Sequence, residues 1–319
     1  MKKYILLIFI IAVSFAFFSC EENFSPKAEF KEKTVVNCII RGDTTFQSLT
    51  ILNSYDVPGY DALLNTEDPF IYAADVRMWQ GDSVFVFQPG EVARQDTSRY
   101  KTPLKYYSTN LFRPSQRDSL EIKVILLDGK SLVAGTRLPE YVAYKGEKGI
   151  PFPGSDYFIL SWEGNNSYTS YIPRFSVRYK VTENNISVIK KKIVAMRYIT
   201  RAGEITPYYP KFSTSTSFQY ARQALDSAFY SISANNPNKD NYTILGGVLE
   251  LIIFDDNLSR YYSSLNGFLD DYTIRLDESD YTNIQGGLGI FGSMLKQELF
   301  VGFQEDYIKS FGYKVNANP

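Results

Sequence analysis

Carboxylates that cluster in the last quarter of the chain are the side chains best suited to chemistry. They fall into three groups: Asp255-Asp256, Asp270-Asp271 and Asp277-Glu278-Ser279-Asp280. Two carboxyl groups at the right separation can hydrolyse a glycosidic bond, and several together can hold calcium. None of these stretches has the alternating oxygen ligands and central glycine of a calcium loop, and paired acids at strand ends are usually solvated turns. We therefore expect no catalytic residue and no metal site among them.

The residue types that most catalytic sites require are scarce. The 319 residues include no His, which removes the commonest general base, the commonest metal ligand and every Ser-His or Cys-His nucleophile pair. The two cysteines, Cys20 and Cys38, are too few for a disulfide framework or a Cys-ligated zinc site. Cys38 lies in the apolar run 35–40 and is expected to be a small buried hydrophobe. The composition favours a protein that is not an enzyme and has no metal or organic cofactor.

The charge balance argues against nucleic acid as a partner. There are 34 basic and 35 acidic residues, so the chain has no overall basic character. The only dense cationic run, Lys190-Lys191-Lys192, lies between Ile and Val residues at 186–194. This pattern is typical of a solvated strand edge, and phosphate binding is the weaker alternative.

The first 19 residues have the three parts of a secretory signal peptide. Lys2 and Lys3 form a positive region, residues 4–18 form an apolar stretch, and Ser19 precedes Cys20. Because a membrane span needs about 20 apolar residues, this stretch is slightly short for a permanent anchor helix, which is the alternative.

The segment Phe17-Phe18-Ser19-Cys20 resembles the lipobox of bacterial lipoproteins, in the form used by Bacteroidota. The resemblance implies cleavage before Cys20, which then carries a covalent diacylglycerol and an N-acyl chain and anchors the protein stably in the outer membrane. Glu21 and Glu22 follow directly and resemble the surface-export signal of such lipoproteins, which implies a location on the cell exterior. Residues 20–33 are then a lipidated tether.

The remainder of the chain has the pattern of a mostly β protein. Short apolar runs alternate with turn residues, and 25 Tyr and 23 Phe add to the strand-forming composition. We expect two β-sandwich domains of the immunoglobulin or fibronectin III type: an N-terminal sandwich at 34–144 and a C-terminal β-rich domain at 156–319. Residues 145–155, with three Gly and two Pro, are the expected linker.

Two hairpins are predicted in the first domain. One joins residues 75–79 to 84–87 through Gly81-Asp82, and the other joins 120–126 to 132–138 through Asp128-Gly129.

The second domain combines sandwich strands with helical inserts. Residues 157–162 and 171–181 resemble the second and third strands of a fibronectin type III sandwich, with Trp162 as a core plug, and 245–254 is the expected central strand. A capping-box pattern at 216–219 precedes helical spacing of apolar residues up to Ile232. A second helix is predicted from Asp256 as N-cap to Gly267 as terminator.

Residues 283–293, which contain Gly286, Gly287, Gly289 and Gly292, resemble the C-terminal signature of a Bacteroidota lipoprotein family known as domain of unknown function 4249. The lipobox, the tether and the strand at 34–40 agree with that family. Physically, these glycines predict a tight turn into a final packed strand, because they permit positive φ and close backbone approach. A phosphate loop is disfavoured, since the Gly-Lys-Ser/Thr ending is missing.

Two functions are compatible with these features. The family resemblance implies a surface lipoprotein beside a TonB-dependent outer-membrane transporter, where it helps to capture a nutrient, and a structural or adhesive surface module is the alternative. Tyr offers a rigid apolar face with a polar tip, which suits binding surfaces as well as cores. The candidate ligand-binding residues are Tyr106, Tyr107, Tyr208 and Tyr209, with 55–60 as a further exposed stretch, although all of these could equally be core.

Overall fold

The computed structural model describes residues 29–59, 61–164, 169–234, 236, 238–266 and 281–316. The chain is 49% strand and 12% helix, with three helices in the described residues. The mostly β, sandwich-like fold with helical inserts is therefore confirmed. None of the helices in this part of the chain is long and apolar enough to cross a lipid bilayer.

Seven strands form the N-terminal sandwich. They are β1 (Thr34–Arg41), β2 (Gln47–Asn53), β3 (Ala74–Gln80), β4 (Ser83–Val92), β5 (Leu104–Thr109), β6 (Ser119–Leu126) and β7 (Ser131–Arg137). The first half of β4 pairs with β3 and its second half pairs with β5, so β4 passes from one layer to the other. Alternate residues of each strand point into the core between the layers, as period-two patterns require. Cys38 is among them, buried as predicted.

Both predicted hairpins are confirmed. Gln80 pairs with Ser83 across the Gly81-Asp82 turn, and Ile125 pairs with Ser131 across the Asp128-Gly129 turn. Gly129 has a φ of +84°, and the Asp128 carboxylate accepts a 2.9 Å hydrogen bond from the Lys130 N–H. The local turn chemistry therefore sets the register of these strands.

The C-terminal body contains the remaining elements. Its strands are β8 (Tyr157–Ser161), β9 (Ser170–Glu183), β10 (Ile186–Ile193), β11 (Arg197–Arg201), β12 (Glu204–Tyr208), β13 (Ser217–Ala221), β14 (Tyr242–Phe254), β15 (Leu288–Val301) and β16 (Lys314–Val315), and its helices are α1 (Arg222–Ile232), α2 (Asp256–Asn266) and α3 (Glu305–Ser310). The main sheet runs in the order β10-β9-β14-β15, which places the predicted central strand inside it. The β8–β13 ribbon, α1 and α3 contribute to the core of this body together with the sheet.

Trp162 fills the core of the C-terminal body, as expected. Its ring stacks on Phe218 at a centroid distance of 5.8 Å and meets Tyr171 edge-on at 5.3 Å. Such aromatic pairs add to the stabilisation from area burial alone.

The glycine motif joins the two halves of the molecule. β15 pairs with β14 on one side and, in parallel, with β1 on the other, so one sheet continues through both bodies. Gly289 lies opposite Val36 with a φ of +107°, and a Cβ there would overlap the Val36 carbonyl oxygen. The predicted tight turn and close approach are confirmed. Ile284 and Phe291 enter the N-terminal core, so that sandwich is not built from residues 34–144 alone.

The segment 145–155 is not an open linker. Ile150 is fully buried, its N–H donates to the Gly302 carbonyl at 2.9 Å, and its carbonyl accepts from the Gln304 N–H at 3.1 Å. The Gly- and Pro-rich composition predicts a linker, but the burial of Ile150 and its backbone hydrogen bonds next to β15 hold this segment against the C-terminal body.

Both predicted helices exist, but each start differs. Residues 217–221 form β13, because Phe218 pairs with Leu160 and Tyr220 points into the core, so α1 begins only at Arg222. The capping-box prediction at 216–219 is therefore wrong. In α2, the capping side chain is Asp255 instead of Asp256, since an Asp255 oxygen accepts from the Leu258 N–H at 2.8 Å. Gly267 lies outside the described residues.

Candidate functional site

Asp255 lies at the junction between the two bodies, where β14 ends. Its carboxylate accepts hydrogen bonds from the Thr136 hydroxyl of β7, from the Ser293 N–H of β15 at 2.9 Å, and from the Leu258 N–H of α2 at 2.8 Å. A single side chain thus binds three separate elements.

Burial raises the pKa of Asp255 to about 6, while hydrogen bonds from Thr136, Leu258 and Ser293 act in the opposite direction. A buried carboxylate is costly unless donors surround it, and here they do. Its oxygens serve the junction and do not point freely at a substrate.

Asparagine side chains extend this contact. The Asn257 amide donates to the Gly135 carbonyl at 2.9 Å, and the Asn283 amide donates to the Phe291 carbonyl at 2.7 Å. Asn283 in return accepts from the Phe291 N–H at 2.9 Å. We call Thr136, Asp255, Asn257, Asn283 and Ser293 the junction cluster. These polar contacts hold β7 against β15 and α2.

A cleft of about 720 Å³ opens beside the junction cluster. Its charged lining includes Glu121, Arg137, Glu140 and Asp256. Glu140 is paired with Arg117 at 2.6 Å. Within the described residues, no group of three or more Asp, Glu or Cys side chains is arranged to hold a metal ion. The other two acidic groups from the sequence analysis, at 270–280, lie outside the described residues. Cys20, Glu21 and Glu22 also lie outside them.

Tyr107 is not an exposed binding residue. The alternation of β5 turns it inward, where its ring stacks with Phe70 at 6.2 Å and its hydroxyl donates to the Ile71 carbonyl at 3.2 Å. The neighbouring Tyr106 points the other way, is half-buried and covers Gly90 on β4. The pair therefore divides between the core and a sheet face and does not form one surface.

The second predicted pair lies at the end of β12. Tyr208 is half-buried, with the Arg197 guanidinium 5.0 Å from its ring centroid, which is cation–π geometry. Tyr209 is 43% exposed and borders a groove of about 410 Å³.

We call this groove the tyrosine groove. It lies between β10, the β11–β12 hairpin and α1, and its polar and aromatic lining consists of Lys191, Lys192, Tyr198, Tyr209, Ser227 and Ser231. Of these residues, only Tyr209 was a predicted ligand-binding residue. Tyr198 carried no binding signal in the sequence, and the lysine run carried only the weaker alternative of phosphate binding, because chain segments that lie far apart bring these residues together.

The tyrosine groove has side chains suited to binding, and its two serine hydroxyls are hydrogen-bonded to backbone carbonyls of α1. Two exposed aromatic faces offer stacking surfaces, and two ammonium groups attract anions. The serine hydroxyls donate within α1, so towards a ligand they are hydrogen-bond acceptors. Lys191 reaches Glu298 at 2.5 Å, whereas Lys192 has no ionic partner among the described residues.

No family model matches this chain, and no curated protein shows significant similarity to it.

Proposed function

We propose that this chain is a non-enzymatic, surface-exposed outer-membrane lipoprotein that serves as a binding accessory to a TonB-dependent nutrient transporter. The observation that carries the proposal is the tyrosine groove, an open recess lined by two tyrosines, two lysines and two serines, in which both serine hydroxyls donate to backbone carbonyls of α1. Asp255 is the buried acid that comes closest to being a catalytic candidate. Its carboxylate already accepts hydrogen bonds from Thr136, Leu258 and Ser293. Both features favour recognition over chemistry.

The N-terminal sequence supports the location. A lipid at Cys20, followed by Glu21 and Glu22, fits a lipoprotein exported to the cell surface, and the opening strand and glycine motif fit the Bacteroidota family of unknown function. Between Cys20 and the start of β1, the tether can reach at most about 50 Å when fully extended. The folded body can therefore stand beside a barrel embedded in the same membrane.

The partnership is tested by affinity purification of the tagged lipoprotein from gently solubilised outer membranes. Recovery of a β-barrel transporter in near-equal amount is the expected result. Recovery of the lipoprotein alone, together with measurable turnover of a glycan or a peptide, would overturn the non-enzymatic proposal.

The groove is tested in cells that depend on the recovered transporter for a nutrient. Combined Tyr198→Ala and Tyr209→Ala changes should slow their growth, because the aromatic stacking faces are lost. Tyr141→Ala, an exposed tyrosine outside the groove, is the matched control and should leave growth unchanged.

One observation favours a structural or adhesive surface module as the second candidate. The main sheet continues from the C-terminal body into the N-terminal sandwich, and the junction cluster reinforces it, which suits a rigid spacer. If purification recovers no transporter and deletion of the gene reduces cell attachment while nutrient uptake is unchanged, this second function applies.

A further inference from the structure

The strand β10 forms an open edge of the main sheet. It pairs with β9 over all eight residues without a register shift, and no other strand in the described part of the chain pairs with its far side. Half of its backbone N–H and C=O groups therefore lie along an edge that can accept another strand.

This edge is unusually apolar for a solvent-facing strand. The exposed fractions are 68% for Ile186, 46% for Val188, 53% for Ile189 and 45% for Ile193. β-Branched side chains favour strand pairing, and exposed groups of them often mark interaction sites.

Three consecutive lysines place positive charge on both faces of β10. The register puts Lys190 and Lys192 on the face shared with Tyr179 and Val177, and it puts Lys191 opposite Arg178. Like charges directly opposite each other in a sheet are destabilising. Glu298 is hydrogen-bonded to Lys191 and is also attracted to Arg178, but its single negative charge leaves the pair with a net positive charge. Lys190 and Lys192 have no ionic partner among the described residues.

Charge decides which partner fits this edge. A second copy pairing antiparallel over all eight residues of β10 would place the lysine run opposite residues 187–189 of the other strand. It would bring three further lysines and no acid to the seam, so the net charge there would be repulsive. An extended segment with acidic side chains would neutralise the lysines on both faces while its backbone completes the open edge.

We infer that the β10 edge is the docking site for an extended acidic segment of a partner polypeptide, which joins the sheet as an additional strand. The inference rests on the proposed binding function and names the chemistry of the partner. Lys191, Lys192 and Ile193 also line the tyrosine groove, so a docked strand would lie at its rim. The fitting segment carries about three successive acids flanked by β-branched residues.

The probe is a labelled synthetic peptide, Val-Thr-Val-Glu-Glu-Glu-Val-Thr, titrated into the full-length lipoprotein in mild detergent and followed by fluorescence anisotropy. It should bind, and the combined Lys190→Glu, Lys191→Glu and Lys192→Glu variant should lose at least about tenfold in affinity. The matched control, Lys101→Glu with Lys123→Glu and Lys130→Glu, makes the same change in net charge in the N-terminal sandwich and should bind like the wild type. Far-UV circular dichroism checks that both variants fold.

The same peptide with every second backbone nitrogen methylated distinguishes strand addition from simple charge attraction. Two versions are used, and each is methylated along a different edge of the extended peptide. At least one version should fail to bind, because it cannot form the ladder hydrogen bonds. If both methylated versions bind as tightly as the unmethylated peptide, the inference is overturned. An equal loss of affinity in the two triple variants would also overturn it. Sedimentation that shows a dimer of the protein alone, dissolved by the β10 variant, would identify a second copy as the occupant and also overturn it.

Transporter recovery distinguishes this inference from the proposed function. If the β10 variant recovers the transporter as well as the wild type does and the peptide does not bind, the docking site is wrong while the proposed function stands. If the peptide binds but no transporter is ever recovered, the docking site stands and the transporter partnership is wrong.

Discussion

The carboxyl group of Asp255 couples protonation to folding. Burial raises its pKa from 3.8 to about 6, so between these values the folded chain holds a proton that the unfolded chain has lost. Stability from this group is therefore fully present below about pH 3.8 and is lost as the pH rises through about 6.

The Asp255→Asn variant tests this coupling, since the amide does not titrate. The unfolding free energy of the wild type minus that of the variant should fall by about 3 kcal/mol between about pH 3.8 and 6 and should level off above that range. Urea denaturation at a series of pH values measures it. Asp82→Asn, at an exposed turn, should reproduce the wild-type profile. Parallel profiles for the wild type and Asp255→Asn would contradict the coupling.

Two glycines with positive φ allow the cost of backbone strain to be compared with the cost of a steric clash between neighbouring strands. Gly289 has a φ of +107° and no room for a Cβ beside Val36, whereas Gly203 has a φ of +87° and no atom within 4 Å of the position that a Cβ would take. Gly203→Ala should cost about 1 kcal/mol of stability. Gly289→Ala should cost about 4 kcal/mol or more, because β1 and β15 must separate. Thermal unfolding compares the two variants. Similar losses would show that β1 and β15 are not closely joined.

Sequence patterns correctly predicted the elements that are specified by residues close together in the chain. The Asp128-Gly129 hairpin follows from turn chemistry, and β14 follows from an apolar run of strand length. β13 was predicted as helix because Phe218 and Ala221 have helical spacing, but pairing with β8 determined its conformation. The parallel pairing of β1 with β15 could not be predicted, since about 250 residues separate the strands and no local signal specifies the partner.

The pairing of β1 with β15 predicts unequal behaviour of the two halves when they are expressed separately. The core of the C-terminal body uses residues from 142 onward, whereas the N-terminal core also needs Ile284 and Phe291. A fragment of residues 140–319 should fold, and one of residues 20–139 should not. Near-UV circular dichroism and amide chemical-shift dispersion measure this. A well-folded 20–139 fragment would show that the N-terminal sandwich is independent of β15.

The candidate site was predicted only in part, because it depends on how distant segments assemble. Tyr209 was a predicted binding residue, and it lines the tyrosine groove. Tyr198 and Lys192 line the same groove only because the β11–β12 hairpin lies next to β10 and α1. Tyr107 lies in the core, which was the alternative for these tyrosines, because one residue of difference in a strand exchanges the core face for the solvent face.

Membrane attachment of the whole protein is predicted to depend on one side chain. Cys20→Ala should abolish labelling with radioactive fatty acid and release the protein from membranes, because the acyl chains supply the anchoring energy. Cys38→Ala is the matched control. Since Cys38 is buried in the N-terminal core, this variant should keep its lipid and its membrane location. Fatty acid incorporation into Cys20→Ala would contradict the lipidation site.

The side of the membrane is predicted to depend on the acids that follow the lipid. Protease added to intact cells should degrade the wild-type protein, and combined Glu21→Ala and Glu22→Ala changes should protect it by leaving it on the periplasmic face. Glu29→Ala with Glu32→Ala removes the same charge farther along the tether and is the control. Because only the position of the acids differs, protection confined to the first variant would assign the export signal to residues 21 and 22. Degradation of both variants, or protection of the wild type, would contradict it.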